Sequence, residues 1–277
     1  TRIERQPRNG FISCGTCKCE RNLSPPRSSV RMITGLGFID GGGDNPFARR
    51  SATTGVSANG SVVIGDSTDA KGHRQAFRWE NGVLRPLGFL SETAPEVFSF
   101  AVAITPDGST IAGSSYNADG NIEPFRWRNG VMTGLGFATA RAPRIFSSAN
   151  AISADGTTVV GNANDERGQS QAFRWKDGVM AGLGYLGGNG ERFSIASAVS
   201  ANGSIVVGVS STATRPLDVF RWTEKTKMQS LSALLAAAGV ALRNFETLSG
   251  DLTNYQSPFL SADGQFIAGT GTNRAGV

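Results

Sequence analysis

The chain has 277 residues, 36 of them glycine, with 39% hydrophobic and 18% charged side chains. That length allows one large core or a multi-unit ring, and so much glycine fits a chain rich in tight turns, while no stretch approaches the ~20 apolar residues of a membrane-crossing helix. The formal charge of +5 lies at one end: residues 1–31 hold seven of the 27 basic and two of the 22 acidic side chains, which leaves 20 of each for the remainder.

Residues 1–30 are therefore read as a separate basic segment, expected to be disordered. It holds all three cysteines, Cys14, Cys17 and Cys19. Cys-x-x-Cys-x-Cys holds zinc or an iron–sulfur cluster only with a fourth ligand, and no nearby His or Cys supplies one. No metal and no cofactor is assigned. No apolar leader follows the basic N-terminal residues, so no signal peptide is read there. The charge-balanced body, residues 31–277, lacks the clustered basic surface that nucleic acid requires, and no nucleic-acid partner is assigned. It has no cysteine, which suits an oxidising compartment without requiring one.

From residue 31 onward the chain is periodic. Arg31 to Phe38 reads as a lone strand ending in Leu36-Gly37. Ala58-Asn59-Gly60 is then a turn, followed by the apolar run Val62-Val63-Ile64-Gly65, and Phe77-Arg78-Trp79 marks a third strand. Asn81-Gly82 turns the chain into a fourth strand and Leu87-Gly88 ends the unit. The same landmarks recur: Phe125-Arg126-Trp127, Phe173-Arg174-Trp175 and Phe220-Arg221-Trp222 follow at intervals of 48, 48 and 47 residues, and these four copies contain every tryptophan. In the third unit 149–153 and 157–162 flank Ala154-Asp155-Gly156, and Lys176-Asp177-Gly178 joins a strand around 172–175 to one over 179–185. Asn-Gly and Asp-Gly tolerate the positive φ of tight hairpins. The near-continuous apolar second strands predict sheets covered on both faces.

After the fourth unit the pattern stretches. The turn glycines run 60, 108, 156, 203 and 264, so the last interval is 61 residues. The added length coincides with Leu231 to Leu242, rich in helix formers, which predicts a short helical insertion over 231–242. A fifth unit then offers two strands, around 257–260 and 265–270, with no Phe-Arg-Trp after them. Residues 31–38 are placed to complete that last unit and close a ring, which removes exposed strand edges. The alternative is that the chain is a piece of a longer protein.

Four antiparallel strands per unit, repeated with an aromatic motif, predict an all-β protein: a β-propeller of about five four-stranded blades, four complete repeats plus a partial one. The repeats are bounded at about 33–84, 85–132, 133–180, 181–228 and 229–277. Blades stack face to face, so each needs its neighbours.

The units QAFRWENGVLRPLGFL, PFRWRNGVMTGLGF and QAFRWKDGVMAGLGYLGG, with AISADGTTVVG between them, resemble the bacterial HAF-type extracellular repeat over about residues 33–271. The name-giving histidine is replaced here by Gln75, Glu123, Gln171 and Asp218. The resemblance implies a bacterial secreted or cell-surface protein, sometimes a passenger of an autotransporter, and it brings no catalytic residues with it.

Among candidate sites, Arg78, Arg126, Arg174 and Arg221 are read as cation–π or ion-pair partners between blades, with a ligand ring as the alternative. Asp107, Asp155 and Asp263 are turn residues without the oxygen spacing of a calcium loop. The loops 39–51, 91–99, 138–148 and 187–194 should line one face, each anchored by a phenylalanine: Phe47, Phe98, Phe146 and Phe193. Loops carry function more often than scaffold strands, and the charged candidates on this face are Arg49, Glu96, Arg141, Arg144 and Arg192. The reading is a non-enzymatic binding or adhesion module for a glycan, polymer or surface protein. A propeller hydrolase or lyase is the first alternative, using His73, the only histidine, or the carboxylates Asp40, Asp44, Glu92 and Glu96. A structural spacer is the second.

Overall fold

The computed structural model describes residues 35–39, 50–187, 192–213, 217–240, 247–248, 258–269 and 271–272. Cys14, Cys17, Cys19, Arg31 to Thr34, Asp40, Asp44, Phe47 and Arg49 lie outside the described residues.

Four sheets follow one plan. The first is β1 (Ser51–Val56), β2 (Val62–Thr68), β3 (Arg74–Glu80) and β4 (Val83–Pro86). The second is β5 (Ser99–Ile104), β6 (Thr110–Tyr116), β7 (Ile122–Arg128) and β8 (Val131–Gly134). The third is β9 (Ser147–Ile152), β10 (Thr158–Asn164), β11 (Ser170–Lys176) and β12 (Val179–Gly184), and the fourth is β13 (Ser194–Val199), β14 (Ile205–Ser210), β15 (Asp218–Thr223) and β16 (Lys227–Ser230). Within each sheet the strands pair in chain order, all antiparallel. The first strands β1, β5, β9 and β13 adjoin one another in succession, and β2, β6 and β10 each face the first strand of the next sheet. Four-stranded meanders whose first strands converge and whose faces stack in sequence are the blades of a β-propeller. The Phe-Arg-Trp strands occupy the third position in every blade, as the repeat predicts.

The recurring residues have separate structural tasks. Asn81 and Gly82 both sit at positive φ, 52° and 80°, as a two-residue hairpin of type I′ requires. Phe77, Phe125, Phe173 and Phe220 are fully buried. Every second strand except β14 begins with a run of at least four buried residues, and β14 is buried from its second residue on, which accords with the expectation of sheets covered on both faces. The first strand of each blade carries a bulge, at Thr54, Val102, Asn150 and Ser197, which shifts its register against the second strand. Two of the bulged residues reach the next blade: Thr54 Oγ1 donates to Ala101 O (2.8 Å) and Asn150 Nδ2 to Ala196 O (2.9 Å).

A serine at the start of the first strand ties consecutive blades together. Ser99 Oγ accepts from Ala76 N (3.0 Å) and donates to Gly88 O (2.7 Å). Ser194 Oγ accepts from Ala172 N (2.8 Å) and donates to Gly184 O (2.8 Å). Between blades two and three the donor position is Pro124, which has no N–H, and Ser147 Oγ keeps only its bond to Gly136 O (3.0 Å).

The Phe-Arg-Trp arginines are structural in two blades. The Arg126 guanidinium lies 5.1 Å from the Trp175 ring centre and the Arg174 guanidinium 5.6 Å from that of Trp222, each reaching into the next blade. Arg78 instead pairs with Glu80 on its own strand (2.7 Å). The equivalents of Glu80 are Arg128, Lys176 and Thr223, so only the first blade offers a carboxylate there.

The expected short helical insertion near 231–242 is the helix α1 (Leu231–Ala237). Gly239 ends it: this residue sits at φ 71°, its N–H donates to Ala236 O, and Val240 N donates to Leu235 O. A left-handed cap of this kind terminates a helix. In the fifth unit β18 (Phe259–Leu260) pairs with β19 (Ile267–Ala268), and β17 (Thr247–Leu248) pairs with β20 (Gly271–Thr272). The unit docks as a blade does: Ala201 N donates to Ala262 O (2.8 Å), as Ala58 N does to Pro106 O (2.8 Å). Residues 35–38 form no strand, so the expected pairing with 257–271 is not seen among the described residues. Ile39 N instead donates to Ser67 Oγ (3.2 Å) on β2 of the first blade, and its side chain is buried.

Candidate ligand-binding site

Antiparallel order sends the second-to-third and fourth-to-first connections to the same end of each blade and the two hairpins to the other end. The connection 87–98 packs Pro95 beside Gly120, and 135–146 packs Pro143 beside Gly168. Asn164 Nδ2 donates to Arg144 O (3.0 Å), and Glu96 beside the Tyr116 hydroxyl raises its pKa. One face is therefore built of two sets of loops that brace each other.

On this face a cleft of about 630 Å³ opens at the third blade, lined by Asp165, Glu166, Arg167, Gln171, Tyr185 and Arg192 among others. Asp165 is fixed first by its own turn, where Oδ1 accepts from Arg167 N and Gln169 N, both at 2.9 Å. Its second oxygen accepts the Tyr185 hydroxyl at 3.0 Å. Gln171 lies beside that hydroxyl, and its Oε1 occupies the space a Cβ on Gly182 would take, 1.7 Å away. The Arg192 guanidinium lies 5.9 Å from the Tyr185 ring centre. Burial, then the neighbouring Asp165, holds the Tyr185 hydroxyl well above its ordinary pKa, so it stays a proton donor at neutral pH. The cleft thus offers acid, amide, hydroxyl and guanidinium groups on braced backbone.

The loop candidates are distributed rather than gathered. Arg192 lines the cleft, whereas the exposed Glu96, Arg141 and Arg144 lie on the preceding two connections and do not line it. Arg49 lies outside the described residues. Phe98 is a packing residue, stacked on Phe100 (5.6 Å) and edge-on to Tyr116 (4.5 Å). Asp165, Gln171 and Tyr185 went unselected in the sequence. A signal was present: Phe38, Phe89 and Phe137 hold the position that becomes Tyr185.

His73 Nδ1 faces Asp69 Oδ2 at 3.3 Å and its ring meets the Phe89 ring edge-on at 6.1 Å. Asp69 Oδ1 meanwhile caps the turn through Lys71 N and His73 N. No Ser, Thr or Cys side chain among the described residues hydrogen-bonds His73. No three His, Cys, Asp or Glu side chains among the described residues cluster as metal ligands do. Asp107, Asp155 and Asp263 accept from the backbone two residues on, at 3.0, 2.9 and 3.0 Å, which is turn chemistry.

No protein-family model matches this chain, and no curated protein sequence matches it. Several solved structures are similar in chain course. TolB from Acinetobacter baumannii is 16% identical, with 76% of this chain and 46% of that one covered and a TM-score of 0.44. The β-propeller domain of the Trilobed protease from Pyrococcus furiosus is 16% identical over 61% and 50% of the two chains, with a TM-score of 0.40. A fucose lectin from Kordia zhangzhouensis is 14% identical over 46% and 94%, with a TM-score of 0.31. The chain spans about half the length of the first two. The fold defines a β-propeller of repeated four-stranded blades, and no helix among the described residues is long and apolar enough to cross a membrane.

Proposed function

We propose that this propeller is a non-enzymatic binding module whose ligand is a carbohydrate, seated on the loop face at the third blade. The supporting observation is the cleft in which Asp165, Gln171, Tyr185 and Arg192 present donors and acceptors side by side. Sugar hydroxyls are recognised by such mixed groups, because each hydroxyl both donates and accepts. Turn hydrogen bonds already hold Asp165 in place, so little ordering entropy is lost on binding. The HAF-type motifs support placing the protein among bacterial secreted or cell-surface repeat proteins. The hydrolase reading gains no support from His73, whose neighbours are a turn-capping carboxylate and an aromatic ring.

The test is a glycan and polysaccharide binding screen on the whole chain, with Arg192→Ala alongside. Binding that disappears in a folded Arg192→Ala protein supports the reading. Binding that survives unchanged moves the site elsewhere, and failure to bind any carbohydrate overturns the reading.

A further inference from the structure

A second cleft lies on the opposite, hairpin face, between blades three and four. It measures about 670 Å³ and is lined in part by Arg174, Lys176, Asn202, Trp222 and Lys225. We propose that it binds an oxyanion: a sulfate, phosphate or carboxylate group carried by the ligand.

Two features separate this cleft from its counterpart one blade earlier, and a third is shared with a difference in how the arginine is anchored. First, the turn residue is Asn202, where blade three has Asp155. Asp155 Oδ1 accepts from Ser153 Oγ, Thr157 N and Thr157 Oγ1, and Asn202 Oδ1 accepts the equivalent three from Ser200 Oγ, Ser204 N and Ser204 Oγ. The remaining atom is a carboxylate oxygen in Asp155 and an N–H donor in Asn202, so a negative charge has been exchanged for a donor. Second, the outer hairpin of blade four is longer. Thr223 pairs with Lys227 across three residues, whereas Lys176 pairs with Val179 across two, and the longer loop brings Lys225 to the rim. Third, the Arg174 guanidinium lies 5.6 Å from the Trp222 ring centre, as Arg126 lies over Trp175, but it is Nε that donates to the turn carbonyl, Gly203 O at 3.1 Å, where Arg126 uses Nη1 on Gly156 O at 3.5 Å. The Arg174 Nη nitrogens have no hydrogen-bond partner among the described residues. A planar guanidinium with both terminal nitrogens available is suited to bidentate contact with an oxyanion. The one acid in the lining, Glu224, pairs chiefly with Lys227 and interacts more weakly with Arg174.

The test titrates the full chain with inorganic sulfate, inorganic phosphate, a sulfated oligosaccharide, a uronic-acid oligosaccharide and a neutral oligosaccharide of equal length, read by calorimetry. Two variants accompany it. Asn202→Asp puts in the residue the turn already accepts at Asp107 and Asp155, so the fold is kept, and Lys225→Glu changes a hairpin tip. The expected result is saturable binding of at least one anionic probe, weakened roughly tenfold or more by either variant and by raised salt. Which probe binds distinguishes a free anion from a charged polysaccharide. Absence of binding by every anionic probe, or binding indifferent to both variants, overturns the proposal.

Discussion

Gly161 and Phe173 are paired across β10 and β11, and the space a side chain would need at Gly161 is already filled. A Cβ there would stand 1.9 Å from Ser148 O and 3.0 Å from the Phe173 ring. The same holds at Gly65 with Phe77, Gly113 with Phe125 and Gly208 with Phe220. The glycine of the apolar run and the phenylalanine of Phe-Arg-Trp are thus two halves of one packing unit, with the bulged first strand closing over them. Gly161→Ala should cost about 3 kcal/mol in urea unfolding, the scale of an overpacked core. Adding Phe173→Leu should not restore the loss, because the Ser148 carbonyl remains in the way. A stable double variant would show that the ring alone sets the constraint.

The blade-linking serines should differ in worth. Ser194→Ala leaves Ala172 N buried without an acceptor and should destabilise by about 1–3 kcal/mol. Ser147→Ala strands no donor, since Pro124 has no N–H, and should cost about 1 kcal/mol or less. Equal effects in chemical denaturation would refute this account of blade attachment.

Acid stability should carry a signature of the turns. Asp107 is held at a pKa of about 2, below the ordinary 3.8, chiefly by the Thr105 hydroxyl and then by Ser109. A depressed folded-state pKa contributes stability that is present above about pH 4 and lost as pH falls towards 2. Asp107→Asn, which copies Asn59 and Asn202, keeps the turn but has no such window. The stability difference between wild type and variant should therefore shrink across that range, measured by denaturant titration at stepped pH. A constant difference would mean that the Asp107 charge does not couple to folding.

Tyr185→Phe replaces the cleft tyrosine with the residue found at Phe89 and Phe137. The fold should persist, while carbohydrate affinity falls about five- to tenfold for one lost hydrogen-bonding hydroxyl. Unchanged affinity would remove Tyr185 from the site. In an alkaline absorbance titration the variant should lose a tyrosine that ionises late, as burial and Asp165 dictate.

The repeat, the strand order within each blade and the hairpin turns were all legible in the chain before any coordinates. Those features depend on neighbours in the chain: Asn-Gly and Asp-Gly at positive φ, short apolar runs between turns, and one aromatic motif per unit. The drift of the last unit was legible too, because the 61-residue interval from Gly203 to Gly264 is a matter of counting. Other properties depended on which side chains meet in space. Arg174 reaches Trp222 across a blade boundary, whereas Arg78 takes the carboxylate of Glu80 on its own strand. The cleft at Asp165 and Tyr185 arises because loops from successive connections meet at one end of the sheets, bringing together residues 20 apart in sequence. Periodicity records what each blade needs of itself, and tertiary packing decides what each blade offers to the next.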